Sequence, residues 1–223
     1  SEIIGTSSTL ITFATIIAVI AGMGIHIGIQ RFIGKSFSEK NIQEAKNYVS
    51  TSLLLLGIGI FTCSIIILLV QNWIHSTFGF DLVLLIIAIL LIASYNSMMI
   101  FRSVVISSLK TQSLPVIFIT SSVAKIIITV LLLISGAGVV GLTFGFIINY
   151  ILSSALLGFV LLTSTFKQAR NSNPFNNFIV NSKKILVSSV VNWIPWLITI
   201  VGSQLGTIVV FGAQGANQAG VYF

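Results

Sequence analysis

The chain has 223 residues, of which 56% are hydrophobic and only 7% charged, and its formal net charge is +7. Its mean hydropathy is +1.09. A soluble domain cannot bury so much apolar surface, so the composition excludes that class and predicts an integral membrane protein. The cations are spread along the chain rather than clustered on one stripe, so we expect no nucleic-acid partner.

Long apolar stretches follow one another along the chain, each long enough for a membrane-spanning helix, which needs about 20 residues. They predict spans at 7–30, 48–70, 82–107, 114–134, 139–163 and 184–211. The runs are continuous rather than alternating, which excludes β-barrel strands. The predicted fold class is therefore an all-α integral membrane protein, a polytopic helical bundle.

The last predicted span is longer than one bilayer thickness. Pro195 lies inside it and lacks the N–H group that a continuous helix needs, so we predict a kink or hinge there. Gly24 and Gly28 have the GxxxG spacing that permits close helix packing. Ser36 and Glu39 have the spacing of a capping box, and we expect a helix to begin there.

Lysine and arginine fill every second gap between the predicted spans. Membrane insertion retains basic loops on the cytoplasmic side. We therefore predict a multi-pass protein of the cytoplasmic membrane, with residues 31–47, 108–113 and 164–183 in the cytoplasm. This rule accounts for most of the cations as topology signals, and the membrane lipids are an expected additional partner for them.

Lys125 is the exception, because it lies near the middle of the predicted span 114–134. A lysine at that depth costs about 2.5–3.5 kcal/mol, so it needs a cavity or a partner. No aspartate or glutamate lies deep in any predicted span. Three interpretations stay open: an aqueous cavity or substrate, a helix outside this chain, or packing against backbone carbonyls. A cationic cavity would suit an anionic substrate such as a lipid-linked phosphate or diphosphate.

Other polar side chains within the spans are candidates for lining such a cavity. They are Tyr95, Asn96, Ser121, Ser122, Asn192 and Gln204. The sequence contains no nucleotide-binding loop, nucleophile elbow or zinc-protease motif. We therefore predict that the protein is not an enzyme and has no cofactor and no metal.

Several short motifs stand in a recognisable order, at residues 22–31, 41–52, 101–110, 194–196 and 219–222. The order resembles the polysaccharide (O-antigen type) flippases of the multidrug/oligosaccharidyl-lipid/polysaccharide exporter superfamily. The first motif is similar to the family's second helix, which ends in an arginine. The last two are similar to the start of its helix seven and to its entry into helix eight.

The resemblance implies a fragment that covers roughly helices two to seven of a two-bundle transporter. Residues 1–166 would form the N-terminal bundle without its first helix, 167–183 the cytoplasmic loop, and 184–223 the start of the C-terminal bundle. The implied function is translocation of a lipid-linked oligosaccharide or polysaccharide precursor by alternating access. The resemblance adds Arg31 and Arg102 to Lys125 as candidates for binding an anionic headgroup.

Two alternatives remain. A cation-coupled multidrug exporter of the same superfamily would need a buried acid, and the family often places an aspartate in helix seven. Residues 202–206 read Gly-Ser-Gln-Leu-Gly here, so no role of that acid can be carried over. A membrane scaffold that transports nothing is the other alternative, and it would gain support if the intact gene encoded only these six spans.

Overall fold

The computed structural model describes residues 2–167 and 177–222, except for the side chains of 214 and 217–222. The described residues form α-helices and one short π-helix. In chain order they are α1 (Glu2–Gly22), α2 (Ile25–Ser38), α3 (Ile42–Leu69), α4 (Gln71–Phe78), α5 (Leu82–Ser107), α6 (Ser113–Ile134), α7 (Gly138–Val160), the π-helix (Leu161–Thr165) and α8 (Phe178–Tyr222).

Six of these helical segments are long and apolar enough to cross a membrane. They are α1, α3, α5, α6, α7 together with the π-helix, and α8 as far as Ala213. The prediction of an all-α polytopic membrane bundle is confirmed. Helix α5 has the bounds predicted for the third span, because Asp81 caps its N-terminus by accepting a hydrogen bond of 2.9 Å from the Leu84 N–H.

The predicted first span, 7–30, is not one continuous helix. It is divided between α1 and α2 by a break at Met23 and Gly24, whose φ angles are +44° and +65°. Glycine adopts this left-handed conformation at little cost, whereas methionine does so only when the surrounding structure holds it there. The predicted span is apolar on both sides of the break, so hydropathy could not reveal it.

The predicted capping box of Ser36 and Glu39 was wrong, because α2 continues to Ser38 and Ser36 is buried in its last turn. The capping residue is Asn41, whose Oδ1 accepts the Glu44 N–H at 3.1 Å while its Nδ2 donates to the Glu44 carboxylate at 3.1 Å. Glu39 instead forms an ion pair of 3.7 Å with Lys35, one turn earlier. The next helix, α3, therefore begins at Ile42.

The centre of the bundle is formed by α1 and α5. Helix α1 packs against α3, α5, α7 and α8, and α5 packs against α1, α2, α3 and α7. Helix α6 lies at the edge and packs chiefly against α7. The outward faces of α3, α6 and α8 carry exposed apolar side chains, including Phe61, Ile126 and Ile198, as expected of helices that contact lipid.

Helix α8 begins at Phe178, so the last residues of the predicted loop 167–183 are helical, and it packs against α1 and α2. The backbone stays helical at Pro195, and the non-helical residue is Gly215, with φ 81° and ψ 179°. Residues 168–176 of that predicted loop lie outside the described residues.

We call one end of the bundle the basic end. It is the end at which α2 terminates and α3, α6 and α8 begin. All lysines and arginines of the described residues lie on this side except Lys125, which lies within α6. This arrangement gives the bundle two chemically different ends.

Candidate functional site

A groove of about 750 Å³ lies between α2 and α8 at the basic end of the bundle. Its walls are largely apolar and include Phe32, Ile179, Val187 and Val191. This α2–α8 groove lies beside both helices rather than inside a closed cavity, so a ligand can approach it from the side.

Two glycines, Gly24 just before α2 and Gly28 within it, allow α2 and α8 to approach closely next to the groove. A β-carbon on Gly28 would lie 2.9 Å from the Ser189 backbone nitrogen and 3.0 Å from its Cα, and would overlap the Ser189 hydroxyl. One on Gly24 would lie 2.9 Å from the Trp193 Cβ. The close helix packing predicted from the GxxxG spacing is therefore confirmed, and its partner is α8.

Three cations line the α2–α8 groove: Arg31 from α2, and Lys183 and Lys184 from the first turns of α8. All three side chains are exposed, and none forms an ion pair with another described residue. Cations that lie on an apolar wall provide two kinds of contact at once. The charged groups can bind phosphate oxygens, and the wall can accommodate a hydrocarbon chain.

Lys183 and Lys184 were interpreted from the sequence as topology signals, so their position in a groove was missed. A signal existed in the spacing of Val180, Lys184, Val187 and Val191, which recur at helical intervals. Recognising that spacing would have placed Lys184 on the apolar face of a helix. Because the span was predicted to begin only at 184, this helical spacing was not recognised.

The three cations predicted to bind substrate have different surroundings. Arg31 lines the α2–α8 groove. Arg102 is exposed on α5, with its guanidinium carbon 5.6 Å from the centre of the Phe118 ring. Lys125 is half-buried on α6, with its Nζ 3.2 Å from the centre of the Phe146 ring on α7. A cation–π contact of this kind explains how a lysine is retained at that depth without a carboxylate.

The neutral candidates also have different surroundings. Asn192 lines the α2–α8 groove, and its Nδ2 donates to the Ser188 carbonyl at 3.1 Å. Ser122 is exposed on α6. Tyr95 packs edge-on against Tyr150, with ring centres 5.3 Å apart. Ser122 and Tyr95 are not among the residues that line the α2–α8 groove.

Three other predicted cavity residues form hydrogen bonds between helices. Asn96 is 4% exposed, and its Nδ2 donates to the carbonyl of Ala18 at 3.0 Å. Ser121 is fully buried and accepts a hydrogen bond of 2.8 Å from Ser153. Gln204 accepts one of 3.1 Å from Thr12. Polar side chains in an apolar bundle find partners on neighbouring helices, which the sequence alone could not pair.

A side chain of α8 forms a hydrogen bond at the break between α1 and α2. The Met23 N–H bonds to the Ile20 carbonyl at 3.2 Å rather than to that of Val19. The Val19 carbonyl accepts the Trp193 indole N–H at 2.8 Å instead. The break is therefore joined to α8 by a hydrogen bond, one residue from Asn192 of the α2–α8 groove. This contact of Trp193 was not predicted.

These features define the class: a polytopic α-helical membrane protein with a break between α1 and α2 and a cation-lined groove between α2 and α8. No protein-family model, no curated protein and no solved structure matches the chain. Its likeness to the polysaccharide flippases therefore stays a prediction. Among the described residues, no group of three or more His, Cys, Asp or Glu is placed to hold a metal ion.

Proposed function

We propose that the protein is a membrane transporter that translocates a lipid-linked oligosaccharide or polysaccharide precursor. The observation that carries this proposal is the α2–α8 groove, with Arg31, Lys183 and Lys184 on an apolar wall. A lipid-linked glycan has a phosphate or diphosphate between its hydrocarbon tail and its sugars. The three cations would bind that phosphate, and the apolar wall would contact the first part of the tail.

The sideways opening of the groove supports a substrate whose tail stays in the bilayer. Beyond Val191 of the groove wall, the exposed Ile194 and Ile198 continue along α8 toward the opposite end of the bundle. The basic end would face the cytoplasm by the distribution of lysine and arginine. Under this proposal the headgroup is bound on the cytoplasmic side.

The interrupted helix supports a transport cycle of the alternating-access kind. Discontinuous membrane helices line substrate sites in many transporters, because their ends are free to move and to bind. The break at Met23 and Gly24 lies next to Trp193, on the helix that also carries Lys183 and Lys184. A change at the break would thereby alter the position of α8 and the width of the groove.

Replacing Lys183 with glutamine is the first test of the proposal. We expect the rate of translocation of a labelled lipid-linked oligosaccharide in proteoliposomes to fall about fivefold, because one cation near an anionic group contributes about 1 kcal/mol. Lys40→Gln is the matched control, since it removes an exposed charge at the same end outside the groove. Equal rates for the two variants would contradict the proposed role of the groove.

A further inference from the structure

A second pocket, of about 510 Å³, lies at the basic end where three segments meet. They are the turn between α2 and α3, the turn between α5 and α6, and the π-helix after α7. The pocket shares no lining residue with the α2–α8 groove. Its polar lining consists of one cation and five hydroxyl groups: Lys110, Ser38, Ser107, Ser108, Ser164 and Thr165.

Most of these hydroxyl groups present their oxygens as acceptors. The hydroxyls of Ser38, Ser107 and Ser108 donate to the carbonyls of Lys35, Ser103 and Val105 at 2.7, 2.9 and 2.9 Å. Each has thus used its hydrogen within its own helix and retains free lone pairs. The pocket therefore suits a ligand that carries hydroxyl donors.

Lys110 supplies the opposite chemistry. Its side chain is half-buried and forms no ion pair with any described residue. Glu39, an acid near the end of α2, is already paired with Lys35. An ammonium group has three donors and no acceptor, so it suits a phosphate oxygen.

The backbone around the pocket is unusual on two sides. Ser164 and Thr165 lie in the π-helix, which ends with the Phe166 N–H bonded to the Leu161 carbonyl at 2.8 Å. Single π-helical turns occur frequently at functional sites. On the other side, Leu109 has φ +59° and is 88% exposed, beside Lys110. An exposed leucine next to a lysine at the end of a membrane helix suits contact with lipid at the interface.

We propose that this pocket binds an anionic phospholipid whose phosphate carries a hydroxylated headgroup, of the phosphatidylglycerol kind. The phosphate pairs with Lys110, the headgroup hydroxyls donate to the serine and threonine oxygens, and the acyl chains pass Leu109. A soluble glycerol phosphate offers the same headgroup chemistry without the chains. The proposal is independent of the transport function, because the two sites share no residue.

Native mass spectrometry of the full-length protein, titrated with phosphatidylglycerol, phosphatidylcholine and glycerol phosphate, tests this proposal. We expect Lys110→Ala to weaken phosphatidylglycerol binding about fivefold, and Lys110→Arg to retain it. Lys46→Ala, outside the pocket, is expected to bind phosphatidylglycerol like the wild type. Thr165→Val keeps the shape and removes one hydroxyl, and we expect about threefold weaker binding from it.

Several results would overturn the proposal. Unchanged phosphatidylglycerol binding by both Lys110→Ala and Thr165→Val would exclude the pocket as the site. Equal binding of phosphatidylcholine and phosphatidylglycerol by the wild type would exclude headgroup recognition. Glycerol phosphate that binds as tightly as the lipid would overturn the lipid assignment. If Lys110→Ala fails to fold, Thr165→Val alone decides: unchanged phosphatidylglycerol binding excludes the pocket, and about threefold weaker binding supports it.

Discussion

Replacing Arg31, Lys183 and Lys184 together with glutamine is expected to weaken the binding of a polyprenyl diphosphate by about 100-fold. Each cation contributes about 1 kcal/mol near an anionic group, and 1.4 kcal/mol corresponds to a factor of ten in affinity. The apolar wall of the α2–α8 groove is unchanged in this variant. We therefore expect it to bind the uncharged polyprenol of the same length as well as the wild type does.

The matched control replaces Lys35, Lys40 and Lys46 with glutamine. It removes the same formal charge from the same end of the bundle, but none of these residues lines the α2–α8 groove. Charges at the protein surface that do not contact the ligand are expected to change its affinity less than about threefold at physiological salt. A comparable loss in both triple variants would show that the diphosphate responds to net charge rather than to the groove.

Gly28→Ala is expected to lower the free energy of unfolding by about 2–3 kcal/mol, because overpacking in a tight contact costs about that much. The added methyl group would lie 2.9 Å from the Ser189 nitrogen, which is backbone and cannot rotate away. Helices α2 and α8 would have to separate, and the α2–α8 groove would change its width. Unfolding in mixed detergent micelles measures the first effect, and polyprenyl diphosphate affinity measures the second.

Gly34→Ala is the control on the same helix. Nothing lies within 4 Å of the position that its β-carbon would take. Alanine favours a helix over glycine by about 1 kcal/mol, so we expect this variant to be as stable as the wild type or slightly more stable. If the two variants unfold alike, the contact between Gly28 and Ser189 does not hold α8 in place.

Much of the fold could be predicted from hydropathy, because continuous apolar runs bounded by polar residues have few other solutions. The predicted spans 82–107 and 114–134 agree with α5 and α6 to within one residue. The break at Met23 and Gly24 could not be predicted in the same way. At the break the Val19 carbonyl accepts the Trp193 indole N–H in place of a helical N–H, and Trp193 lies far along the chain.

The candidate site was predictable only in part, for a related reason. Hydropathy places a residue by its depth in the membrane, but it does not tell which neighbouring helix the side chain faces. The depth of Lys125 within its span was recognised, yet its contact with Phe146 follows from the pairing of α6 with α7. Arg31 was predicted to bind the headgroup, but Lys183 and Lys184, which line the same groove, were not. Their position follows from the start of α8 at Phe178, which the sequence did not predict.

Photo-crosslinking with a polyprenyl diphosphate that carries its reactive group beside the diphosphate tests the central claim most directly. We expect the label to be recovered on peptides that contain Arg31 or residues 179–192, and to be displaced by unlabelled diphosphate but not by polyprenol. Label concentrated on α6 around Lys125, or equal labelling by a reactive polyprenol, would contradict the assignment of the α2–α8 groove as the headgroup site.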